Sequence, residues 1–242
     1  MKSFQILTFI FVLLFLDSTA QVPFGFEVLF NGTDLTGWVV KAKPDDLDKN
    51  FWTVNDGAIV VNSIGEKEHD YVWLMTETEF DNFELQLKFA AFKSSPGNGG
   101  IQLRSRYDDE EYWLDGPQID IHPPGPWRTG FIWDETRGEK RWIYPDLPKE
   151  EWVNEEMRKK EVPFYYSDDE EEKWNLLEIF ADGNKIQAWL NGQQITKFKG
   201  KEVLNNDLHK KYNVGKDGCI ALQLHTGDEL KMKYKDIFIK EL

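Results

Sequence analysis

Four segments of this 242-residue chain alternate apolar and polar residues with a period of two. "FELQLKF" sets Phe83, Leu85, Leu87 and Phe89 against Glu84, Gln86 and Lys88. "GIQLRSRY" sets Ile101 and Leu103 against Gln102, Arg104 and Arg106. "PQIDIH" sets Ile119 and Ile121 against Gln118, Asp120 and His122, and "IALQLH" sets Ile220, Leu222 and Leu224 against Ala221, Gln223 and His225. Successive side chains of a β-strand point to opposite faces, so each segment has one face for a core and one polar face. Between such runs lie "NDG", "ADGN" and "NG", residues that tight hairpins require. Roughly ten to twelve strand candidates follow at the spacing of a sandwich or barrel. Neither a βαβ rhythm nor a long internal repeat is present. The expected fold is all-β: a two-sheet antiparallel β-sandwich forming one domain over 21–242.

Two stretches depart from this pattern. Residues 1–20 place Lys2 before the apolar run Phe4–Leu16 and end in Ser18, Thr19 and Ala20. That is the form of a cleaved secretory signal, and the run is short for a bilayer span of about 20 residues. It implies a secreted or periplasmic protein with no membrane insertion after cleavage. The segment 146–174 is charged and does not alternate. It reads as a surface insertion rimming one face. Its "KEEWVNEEMRKK" is suited to one short helix with charge pairs, and its "SDDEEE" to a solvated loop. The one cysteine, Cys219, excludes an intrachain disulfide and sits in an apolar run as a small core residue. A net charge of −14 argues against nucleic acid as a partner.

The polar faces carry the functional signal. Solvent faces of sheets favour Thr, Lys and Glu, whereas Gln102, Arg104, Gln118, Asp120, His122, Gln223 and His225 are directed hydrogen-bonding groups. If their strands are neighbours, these groups form one concave surface opposite the core, and with tryptophans nearby it suits a carbohydrate. The strand 118–122 resembles the laminarinase-type β-glucanase motif, in which two glutamates flank an aspartate. Here Gln118 and His122 take the flanking places, so two glycosidase carboxylates are not supplied by this strand.

A closer resemblance covers nearly the whole chain after residue 20. "GFEVLFNGTDLTGW", "FWTVNDGAIV", "FELQLKF", "GNGGIQLRSR", "GPQIDI", "TGFIWDETRG" and "IALQLHTGDELKMKYKDIFIKEL" occur in the order of the 3-keto-disaccharide hydrolase family. Pro117 replaces an aromatic common before the aspartate, and the long acidic insertion replaces a short link. The resemblance implies a concanavalin-like jelly roll, secretion in bacteria, and cleavage of glycosides already oxidised to a ketone at sugar C3. Such a ketone acidifies the C2 hydrogen, so a base, an enolate stabiliser and an acid for the leaving group suffice.

On this reading Asp120 and His225 are the expected acid/base pair, and Arg104 is the electrostatic stabiliser. Gln118, Gln223, Gln102 and His122 are expected to bind hydroxyls, joined by Trp133, Asp134, Glu135 and Arg137 of "WDETR". No cofactor is implied. A divalent cation at Asp120, His122 and His225 stays open, although no metal-ligand spacing supports it. The rival function is a noncatalytic carbohydrate-binding sandwich.

Overall fold

The computed structural model describes residues 21–168 and 170–242. The expected signal segment lies outside them. Two antiparallel sheets face each other. The first runs in the order Gln193–Lys199, Lys185–Leu190, Asn175–Asp182, Phe83–Phe92, Lys231–Glu241, Ala58–Asn62, Trp52–Asn55. The second runs Arg141–Tyr144, Ile132–Asp134, Pro117–Ile121, Gly99–Asp108, Cys219–Leu224, Val72–Thr76, Trp38–Lys41. Sequence neighbours are often not sheet neighbours, which is jelly-roll winding.

The apolar half of each alternating segment meets in one core. Phe83, Leu85, Leu87 and Phe89 face Ile101, Leu103, Ile119, Ile121, Ile220, Leu222 and Leu224 in a single buried cluster. The hairpins fall where the turn residues place them. Asp56 and Gly57 have φ of 49° and 73°, and Asn191 and Gly192 have 48° and 79°. Left-handed backbone at both central positions matches the twist of the flanking strands.

Register then aligns the outer face of the second sheet into rows. Trp142, Trp133, Gln118, Gln102, Ala221, Met75 and Val39 stand opposite one another across seven strands. The next row holds Asp120, Gly100, Gln223, Trp73 and Lys41. The insertion does rim this face, but its expected helix is absent. A charged peptide with Pro at both ends and few core contacts does not nucleate a helix, and only the 3₁₀ turn Glu155–Met157 forms. Arg158 fastens the segment instead. Its guanidinium donates to the carbonyls of Trp127, Ile195 and Thr129 at 2.6–2.8 Å and lies over the Phe131 ring. Cys219 is buried beside Trp73, Met75 and Ala221, as its apolar run implied.

Candidate active site

A cleft of about 380 Å³ opens on the outer face of the second sheet. Its walls include Tyr71, Trp113, Gln118, Asp120, His122, Arg128, Trp133, Glu135, Trp152, His225 and Asp228. Asp120 and His225 therefore share one side of the sheet, as the alternation requires.

Asp120 projects from Pro117–Ile121 and is 1% exposed. Both its oxygens accept from one guanidinium: Arg128 Nε at 2.6 Å from Oδ2, and Nη2 at 3.1 Å from Oδ1. Arg128 follows the "PPGP" loop, which turns back over the strand; Gly130 N–H donates to the Asp120 carbonyl and Asp120 N–H to that of Phe131. Both carboxylate oxygens are engaged by one guanidinium, which leaves the fork turned to positioning Arg128. Asp120 thus fixes Arg128, a residue with no sequence signal of its own.

His225 lies just past Cys219–Leu224 in the turn "HTGD". Its Nδ1 is 3.1 Å from the Thr226 carbonyl and 3.4 Å from Asp228 Oδ2, and its Nε2 is 3.1 Å from the Tyr71 hydroxyl. Burial pulls the imidazolium pKa down, but the Asp228 carboxylate, helped by Glu135, outweighs it and the net shift is upward. For Asp228, burial pushes up, while His225 and the Asn98 N–H prevail and hold it below the usual carboxylate range. Tyr71 stacks flat on Trp73 at 5.4 Å. Burial, and then the nearby Glu135, Asp70 and Asp228 carboxyl groups, push its phenol up, so it stays neutral.

Glu135 is 4% exposed, and burial raises its pKa against the opposing help of Trp133, Lys140, Gln223 and His225. Its own backbone holds it there: Trp113 Nε1 donates to its carbonyl at 2.9 Å and its N–H donates to Gly116 at 3.0 Å. Gln118 is buried in the cleft floor, and its Oε1 has no protein partner among the described residues. Gly100, opposite Asp120, gives it room. A Cβ there would stand 2.6 Å from Gln118 Cγ. Gly100→Ala is expected to displace the carboxamide and raise KM about tenfold, since a hydrogen bond contributes about 0.5–1.5 kcal/mol. An unchanged KM in steady-state kinetics would show that Gln118 does not touch substrate.

Several expected site residues lie elsewhere. Arg104 does not reach the cleft. Cys219 pairs with Ser105 and Ala221 with Gln102, so the Gly99–Asp108 strand carries one extra residue between those pairs. Arg104 sits in that bulge with φ of 51°, and a bulge re-aims its side chain. The guanidinium is fully buried and donates to the carbonyls of Asp81, Gly183 and Gly215 and to Asn82 Oδ1, tying the two sheets together at one end. Burial lowers its pKa to about 10, which leaves it cationic at neutral pH. Arg104→Met is expected to lower stability by about 3 kcal/mol, because hydrogen bonds to a charged group each contribute about 1.5–3, with KM unchanged. A urea melt equal to wild type would contradict this placement.

Asp134 faces His209 Nε2 at 3.1 Å, both fully buried, and accepts from the Thr136 N–H. Arg137 pairs with Asp115 and Asp108 and covers Tyr212. Both are structural positions outside the cleft. Gln102 and Gln223 lie beneath it: Gln102 donates to the Leu114 carbonyl and Gln223 to Glu135 Oε1, each at 3.3 Å. His122 stays on the wall, where burial and then Arg128 lower its pKa. Among the described residues no three His, Cys, Asp or Glu side chains are grouped to hold a metal.

The sequence profile of the 3-keto-alpha-glucoside-1,2-lyase-like domain matches residues 25–240. No curated protein matches the chain in sequence. Among solved structures, a candidate glycosyl hydrolase from Parabacteroides distasonis ATCC 8503 is similar with a TM-score of 0.57 and 20% identity, over 90% of this chain and 94% of that one. The carbohydrate-binding module CBM66 from Bacillus subtilis has a TM-score of 0.54 and 11% identity, over 85% and 96%. The non-specific endo-β-1,3(4)-glucanase SCLam has 0.51 and 10%, over 92% and 94%. At these identities the likeness is one of fold.

Proposed function

Since the chain belongs to the 3-keto-alpha-glucoside-1,2-lyase-like family, a carbohydrate-related one, we propose that it cleaves 3-keto glycosides by deprotonation at C2 followed by elimination at C1. One observation carries this reading: a histidine backed by a carboxylate, an Arg–Asp fork and a buried Glu135 carboxyl converge on one tryptophan-lined cleft. The sequence profile points to the same chemistry.

The geometry supports the following roles. The Thr226 carbonyl can only accept, so the neutral His225 ring carries its hydrogen on Nδ1 and leaves the Nε2 lone pair toward the cleft. The neutral Tyr71 hydroxyl hydrogen-bonds that lone pair in the resting site. Nε2 removes the C2 proton of the oxidised ring. The C–H electrons pass into the C2–C3 bond, and the C3 oxygen becomes an enolate. Arg128, oriented by Asp120, stabilises that oxygen in the role expected of Arg104. The enolate collapses, the C1–O bond breaks, and the C1–C2 double bond forms as the C3 ketone returns. Glu135, whose pKa burial raises, is the group placed to give a proton to the departing oxygen. Addition of water across C1–C2 completes net hydrolysis. The 1–20 segment would deliver this activity outside the cytoplasm.

A 3-keto disaccharide, and not its unoxidised parent, is expected to be cleaved, with C2 hydrogen exchanging into deuterated solvent during turnover. Nuclear magnetic resonance reads both. Cleavage of the parent without exchange would overturn the mechanism. Tight binding of either sugar without cleavage would favour the noncatalytic module.

A further inference from the structure

The sequence of strands across the sheet gives the cleft two ends. Tyr71 and His225 flank Val72–Thr76 and Cys219–Leu224, near one end. Trp133 and Trp142 stand on Ile132–Asp134 and Arg141–Tyr144, at the other edge of the sheet. Three strand spacings separate Trp133 from Gln223, or about 14 Å at ~4.8 Å per strand. One pyranose ring does not fill that length.

Trp152 closes the second end. It comes from the insertion, lines the cleft, and is 60% exposed. Its ring lies 5.3 Å from Trp133 and 5.6 Å from Trp142. A large indole left in water at a cleft mouth, packed on two others, gives a partner ring an apolar surface. Its position is fixed by other means. Arg158 clamps the same segment to three carbonyls, and Val153 is buried against Phe131 and Trp142. The core therefore does not need the exposed Trp152 face.

We propose that Trp152 and Trp133, backed by the buried Trp142, form the subsite for the leaving group, and that Trp152 selects a leaving group with a ring face, a second sugar or an aryl group, over a small alkyl alcohol. This rests on the reading above for the position of the oxidised ring at the His225 end. It makes the insertion 146–174 a specificity element.

The test compares wild type, Trp152→Ala and Trp152→Phe on three 3-keto glucosides: a disaccharide, a phenyl glucoside and a methyl glucoside. Equilibrium binding is measured by calorimetry and turnover separately. Trp152→Ala is expected to weaken binding and raise KM about tenfold for the two ring-bearing substrates, with kcat and the methyl glucoside nearly unchanged. Trp152→Phe is expected to restore most of the loss, and the thermal midpoint to stay at the wild-type value. Loss confined to one ring-bearing substrate identifies which leaving group the subsite takes. Equal effects on all three substrates, or unchanged binding, overturn the subsite. Binding of the ring-bearing compounds that depends on Trp152 without any turnover would refute the proposed reaction and leave the subsite standing.

Discussion

His225→Gln lowers kcat/KM for a 3-keto disaccharide by about 10²–10⁴-fold, the usual loss when a general base is removed. The thermal midpoint falls little, because His225 is one-third exposed at its side chain and its ring meets Tyr71 edge-on at the rim of the cleft. The pH profile gives the sharper test. The base acts in its neutral form, so activity rises as pH rises through the His225 pKa. Burial alone would put that pKa below the ordinary imidazole value, and Asp228 is the main group that lifts it above. Asp228→Asn removes the lift, so the acid limb of kcat/KM moves to lower pH. An acid limb that stays fixed in Asp228→Asn would mean that another group is the base, and Glu135 would be the first to examine.

Arg128→Met should be the most destabilising single change at the site. It leaves Asp120, 1% exposed, without either of its charged hydrogen bonds. Removing one partner of a buried pair costs about 3–5 kcal/mol, while replacing both is often near neutral. The double variant Asp120→Asn with Arg128→Met is therefore expected to recover most of the lost stability in a denaturant melt. It is not expected to recover turnover, because the enolate has lost its cation. Additive losses of stability in the double variant would show that the two residues act independently. Recovery of activity along with stability would remove Arg128 from the chemistry.

Half of this site was legible in advance, for a local reason. The period of two is a property of neighbouring residues, so Gln118, Asp120 and His122 could be placed on one face of their strand, and His225 on the polar face of its own, before any strand order was known. The same rule failed at Arg104. One extra residue in the Gly99–Asp108 strand ended the alternation, and the sequence "IQLRSR" bears no mark of the bulge. Glu135 was named with its neighbours in "WDETR". That it enters the cleft while Asp134 turns to His209 depended on the strand ending at Asp134.

The sequence alone determined the sandwich, the hairpins and the identity of the core face, because alternation and turn chemistry act over a few residues. It also determined that the opposite face carries amide, carboxylate and imidazole groups. Tertiary structure decided which groups meet. Tyr71 reaches His225 across 154 positions, and Gln223 reaches Glu135 across 88. Arg128 finds Asp120 only because the "PPGP" loop folds back, and Trp152 reaches Trp133 only because Arg158 clamps the insertion. Such contacts are set by strand order and loop path, which follow from the burial of the whole core and leave no period in the chain.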